Sequence, residues 1–214
     1  MNIEVSGMRR LLLIATLAGI SAPIKAGAQD SAAIQAQGDL PPAGFGTLNQ
    51  DDIALTLRQE DMEIRIVPLD ERILRLVAPD TYASLHGILQ SRSAQLDSIG
   101  RRSGVAVPGI LFVTFFARRN GARFDPQNLN VVIRNQLYRA IGIVPYSSNF
   151  NSQQLDVRQQ ASGILLFEQT LPVYEPFAVS YGATSSDWEG KLVRIQRERG
   201  RVMGRGVRRD SAGS

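Results

Sequence analysis

Cysteine is absent from the 214 residues, and histidine occurs once, at His86. The first absence excludes disulfides, thiolate metal centres, a cysteine nucleophile and a lipid-bearing N-terminal cysteine. The second excludes any multi-histidine metal site. Other signatures are missing too. There is no Gly-x-Ser-x-Gly elbow to nominate a catalytic serine. No Asp-x-Asp-x-Asp-Gly loop exists for calcium, and Gly104–Gly109 lacks the lysine and following helix of a phosphate loop. Beyond the N-terminal region no apolar run approaches the roughly 20 residues a membrane-spanning helix needs. No cofactor is read from these residues.

What is present is a globular composition, with 43% hydrophobic and 21% charged residues. That rules out a wholly disordered or fibrous chain, and at this length one domain is the default. The first 28 residues have the form of a secretory signal. Arg9 and Arg10 precede the uncharged run Leu11–Ala22, and Ala26-Gly27-Ala28 supplies small residues before a cleavage site at Gln29. Met8 makes a cleaner start than Met1, because Glu4 is out of place in the positive region. Residues 1–28 are therefore expected to be a signal peptide. The mature protein is expected in the periplasm or secreted, without a transmembrane segment after cleavage.

The charge of +4 is unevenly placed. Glu189–Ser214 holds eight cations against three acids, so the body from Gln29 to Trp188 is mildly acidic and the basic character belongs to the C-terminus. Within the body, Gln29–Asp70 is acidic, whereas Arg101–Arg139 carries seven arginines against Asp125. The plainest reading is that these stretches are solvated faces or meet one another across the fold.

Gln29–Gly46, rich in Ala, Gln, Gly and Pro, reads as a flexible linker over residues 29–46. Two period-two runs, Ile53–Leu57 and Met62–Ile66, are joined by Gln59-Glu60-Asp61 and predict an antiparallel hairpin ended by Pro68. Asp70 is placed to cap a short turn of helix through Ile73, Leu74 and Val77, which Pro79 interrupts. Tyr82, Leu85, Leu89, Leu96 and Ile99 then form a helical stripe that closes near Gly100 or Gly104. Ile110–Ala117 is a continuous apolar run that predicts a central strand. Asn120-Gly121 after it suits a tight hairpin turn. Further strands are expected at Leu129–Ile133, Leu137–Val144, Leu155–Val157, Ile164–Phe167 and Phe177–Tyr181, with Asn135-Gln136 among the turns. Ser186–Glu189 has the form of a capping box, which predicts a C-terminal helix through Trp188, Leu192, Ile195 and Val202. Gly200, Gly204 and Gly206 weaken its far end.

The fold class expected is therefore α+β. An antiparallel β-sandwich-like core, Ig-like or a partly open barrel, carries an inserted helix near 79–100 and a C-terminal helix. One domain spans 47–203, and 204–214 is a disordered basic tail.

Candidate chemistry is sparse. His86 is the only imidazole available as a base, and its place beside an apolar stripe reads as a helix-surface or half-buried structural histidine. The acid clusters Asp51/Asp52, Glu60/Asp61/Glu63 and Asp70/Glu71 would serve glycoside hydrolysis only if they flanked a cleft. The basic tail singles out Arg201, Arg205, Arg208 and Arg209, which crowd together with no acid among them and suit an anionic partner. Together these features favour a non-catalytic binding or assembly module of the cell envelope, whose partner is another envelope protein or an anionic envelope polymer. Nucleic acid does not fit an exported chain with an acidic body. The alternative is an exported hydrolase whose acids meet only in three dimensions.

Overall fold

Alternation of apolar and polar residues decides the first elements. β1 (Leu55–Arg58) and β2 (Met62–Pro68) pair antiparallel, so that Leu55, Leu57, Ile64 and Ile66 share one buried face. Ile53, expected in the same strand, instead ends a 3-10 turn, Gln50–Ile53. In this computed structural model residues 40–212 are described, with side chains as far as Arg205. Residues 1–39, which hold the expected signal peptide and part of the expected linker, lie outside the described residues, as do residues 213–214.

Asp70 caps α1 (Glu71–Leu74) by accepting the Arg72 N–H at 2.9 Å. Pro79, which has no N–H to satisfy, opens α2 (Pro79–Ser103), and Gly104 closes it. β3 (Gly109–Ala117) follows, hydrogen-bonded to β2 on one side and to β8 (Gln160–Phe167) on the other. The remaining strands are β4 (Ala122–Arg123), β5 (Leu129–Ile133), β6 (Gln136–Pro145), β7 (Gln154–Leu155), β9 (Ala178–Tyr181) and β10 (Thr184–Asp187). Last comes α3 (Glu189–Ala212).

Eight of these strands form one antiparallel sheet in the order β1-β2-β3-β8-β6-β5-β9-β10, while β4 and β7 pair separately. The sheet curls until its edge strands β1 and β10 lie side by side, giving a nearly closed, barrel-like sheet. The fold is thus α+β, as expected. Two packed sheets of an Ig-like sandwich are not what forms.

The two faces of the sheet have separate cores. Leu111, Val113 and Phe115 of β3 point inward with Ala161, Leu165 and Phe167 of β8. Ile110 and Phe112 point outward, where Ile164, Leu166 and Val144 meet Leu96 and Ile99 of α2. Aromatic rings fill the barrel near Phe115, whose ring stacks on Phe124 with centroids 4.4 Å apart and contacts Phe150 and Tyr181. At the other end Trp188 is fully buried, stacks on Phe177 and donates its indole N–H to the Val173 carbonyl at 3.0 Å.

Several local expectations are corrected. Asn120-Gly121 does not join paired strands, because β3 pairs with the distant β8 and β4 with β7. The hairpin between β5 and β6 turns on Arg134 and Asn135, both at positive φ, one residue earlier than expected. Ser186 is a β10 residue paired with Val179 and not a helix cap. β10 itself, Thr-Ser-Ser-Asp, has no apolar alternation and so escaped a pattern-based reading. The described part of the expected linker is packed: Pro41 and Gly46 are buried, and Leu48 bridges to Val77. The backbone of α3 continues through Gly200, Gly204 and Gly206 to Ala212, where a break and a disordered tail were expected.

Candidate functional site

β6 is ten residues long and β5 only five, and their ladder stops at the pair Asn130–Arg139. Beyond Arg139, β6 keeps β8 on one side only. On its other side the 3-10 turn Pro126–Asn128 replaces a strand. The gap is an open groove of about 600 Å³, lined by Asp125, Gln127, Asn128, Asn130, Arg139 and Ile141 among others. A second groove of about 530 Å³ lies between Arg123, Ser152, Gln153, Gln154 and the rim of Tyr181. Asp125 and Asn128 line both, so the two grooves adjoin and together make up the cleft.

Hydrogen bonds hold the floor of the cleft in place. The Asp125 N–H donates to the Tyr181 hydroxyl at 2.9 Å, and the Asp125 carboxylate accepts the Gln127 N–H at 2.9 Å. The Phe124 N–H donates to the carbonyl of Gln153, a residue held in the left-handed region at φ 52°. Burial pushes the Tyr181 phenol above its ordinary pKa, opposed by the N–H it accepts from Asp125, so it stays neutral at physiological pH. In contrast, the side-chain heads of Arg123, Gln127, Asn128, Arg139, Gln153 and Gln154 are exposed and make no hydrogen bond or ion pair among the described residues. Asp125 is the one acid lining the cleft.

The acids singled out from sequence serve the framework. Asp51 pairs with Arg65, and Asp52 accepts the Asn49 N–H and pairs with Arg194 at 2.6 Å. Glu60 pairs with Arg119 at 2.6 Å, and Glu63 with Arg58. Of these ion pairs, Glu60–Arg119 joins the acidic stretch to the arginine-rich one, whereas the others stay within residues 29–70 or reach α3. Arg134 pairs instead with Glu175.

His86 sits half-buried on α2, stacked on Tyr82, with Nδ1 2.8 Å from the Glu71 carboxylate and Nε2 3.2 Å from the Gln90 amide. Burial and the adjacent Glu71 charge raise the Tyr82 phenol above its usual pKa. This network ties α1 to α2, and none of its members lines the cleft. Among the described residues no group of three His, Cys, Asp or Glu is arranged to hold a metal ion. No helix among them is long and apolar enough to cross a membrane.

The four arginines selected from sequence do not act alike. On α3, Lys191, Arg194, Arg197, Arg201 and Arg205 recur at three- and four-residue spacing and share one face. Lys191 donates to the Asp51 carbonyl and Arg194 pairs with Asp52. Arg201 is half-buried between Glu198 and the Phe45 carbonyl, so its role is structural. Arg205 is exposed and without a partner among the described residues, as is Arg197, which sequence reasoning did not select. Arg208 and Arg209 lie on the helical backbone, with side chains outside the description.

Sequence reasoning also missed the cleft. Arg123, Asp125 and Arg139 had been noticed only as charges of the basic stretch, and Gln127, Asn128, Gln153 and Gln154 had not been singled out. Neither a protein-family model, nor a curated protein, nor a solved structure matches this chain.

Proposed function

We propose that this chain is an exported, non-catalytic binding module of the cell envelope, and that the cleft between β6 and the 3-10 turn is its binding surface. One observation carries the reading: six exposed polar side chains without internal partners surround a cleft whose floor is fixed by backbone hydrogen bonds. Polar heads that the fold leaves unused, on a rigid base, are what a recognition surface needs. The tripartite pattern of residues 8–28 supports export. Support for a non-catalytic role comes from the acids and His86, which are engaged in framework contacts and do not converge on the cleft.

The partner classes in keeping with this reading are another envelope protein and an anionic envelope polymer. Capture from envelope extract tests it, with the wild-type protein beside the double variant Arg123→Gln, Arg139→Gln. A partner retained by the first and lost by the second supports the cleft. Equal capture by both sets it aside. Sequencing the exported protein from its N-terminus tests the address, with Gln29 as the first residue.

A further inference from the structure

We infer that the cleft takes an acidic oligosaccharide, a hydroxyl-rich chain carrying carboxylates, an inference that rests on the binding-module reading above. Three features lead there. Gln127, Asn128, Gln153 and Gln154 bring four side-chain amides with free heads to one surface. Each amide offers two donors and an acceptor on adjacent atoms, which pairs with hydroxyls that donate and accept at once. Amides clustered at such density match vicinal diols.

Arg123 and Arg139 stand in the two arms of the cleft without an acid partner. A guanidinium presents a planar fork that fits a carboxylate through two parallel N–H···O bonds. Among the described residues Asp125 is the one acid lining the cleft, against two arginines, so positive charge prevails there. One arginine per arm fits charges repeated along a chain and not a single anion.

An acidic peptide is the competing occupant. Its carboxylates would engage the two arginines but would leave the four side-chain amides without the paired hydroxyls they suit. Leu137, Ile141 and Ile143, which also line the first groove, can pack against either occupant. The amides therefore favour the sugar chain.

Isothermal titration of the full mature chain with a galacturonic acid hexamer tests this, with cellohexaose as the neutral sugar and hexaglutamate as the acidic peptide. The uronate hexamer should bind, and each of Arg123→Gln and Arg139→Gln should weaken it by about tenfold, the loss of one charge-assisted contact. Lysine at either position should restore part of the affinity. Because both arginines are exposed and unpaired, melting temperatures should be unchanged, which separates lost recognition from lost folding. Cellohexaose binding as tightly as the uronate would overturn the acidic assignment, and hexaglutamate doing so would reassign the cleft to peptides. If no uronate binds while the double variant still loses its envelope partner, the sugar assignment falls and the binding surface stands. If capture ignores the double variant, the binding surface falls as well.

Discussion

The buried carboxylate of Glu198 on α3 accepts both the backbone N–H and the hydroxyl of Thr47, at 2.7 and 2.8 Å, and thereby pins the start of the domain to its last helix. Arg201 completes the site by donating to the same carboxylate and to the Phe45 carbonyl. The Arg201 guanidinium, and then the two Thr47 donors, hold the Glu198 carboxyl below the ordinary glutamate pKa against the opposing effect of burial.

That relationship sets a pH dependence. A carboxyl whose pKa is lowered by folding stabilises the protein above its unfolded-chain value, and the contribution is lost as pH falls through the lower folded-state value. Glu198→Ala should cost roughly 1.5–3 kcal/mol near neutral pH, the range for hydrogen bonds to a charged group. Glu198→Gln should cost less and should flatten the acid limb of the stability profile. Melting temperatures measured across the acid range would show it. A wild-type-like acid limb in Glu198→Gln removes this carboxylate as a source of acid sensitivity.

Inside the barrel, Gly163 faces Phe150, and a Cβ at that position would lie 2.4 Å from the ring edge. Gly163→Ala should therefore destabilise by about 1–3 kcal/mol through overpacking. The change should cost clearly less in a Phe150→Leu background, where the ring edge is gone. A double-mutant cycle by chemical denaturation reads the coupling. Strict additivity would mean that the ring does not fill that space.

The two faces of β3 should respond differently. Phe115 is fully buried among aromatic rings, so Phe115→Ala should cost roughly 3–5 kcal/mol. Phe112 lies on the outer face, half-buried where α2 packs, and Phe112→Ala should cost distinctly less. Equal losses in denaturant melts would contradict the assignment of inner and outer faces.

On α3, neutralising Arg205, Arg208 and Arg209 should leave the melting temperature nearly unchanged, because Val202 is the last buried position among the described side chains. Neutralising Arg201 should lower it, because Glu198 would lose its charge partner. If the exposed cations draw the protein to acidic vesicles, that retention should fade by about 0.5 M salt, where the Debye length has fallen well below its physiological value of about 8 Å. Salt-independent retention would exclude an electrostatic attachment.

Much of the fold was legible because local physics dictated it. The alternation of Met62–Ile66, the Asp70 cap, the Tyr82–Ile99 stripe and the apolar run of β3 each reflect neighbours within one element. Closure of the sheet was not legible, because it depends on β3 meeting β8 across four intervening strands and on β1 meeting β10, which has no apolar alternation. Thr114 and Ser162, paired at 3.0 Å across that junction, are ordinary strand hydroxyls in the sequence. The Thr47–Glu198 contact spans 151 positions, so no local pattern records it. Sequence reasoning treated Arg201 as a solvated tail cation for the same reason. The cleft was hidden differently. Gln127 and Asn128 sit in a 3-10 turn, Gln153 precedes β7 and Gln154 belongs to it, and no local pattern marks any of them; tertiary packing alone gathers them at the cleft.

Amide hydrogen exchange, recorded with and without the polysaccharide fraction of the envelope, tests the central claim most directly. Protection is expected in three segments that are distant in sequence, around residues 123–128, 137–143 and 152–154, because they supply most of the cleft's lining. The exposed face of α3 should exchange as before. Protection confined to α3, or absent from all three segments while the ligand is bound, would contradict the cleft as the binding surface.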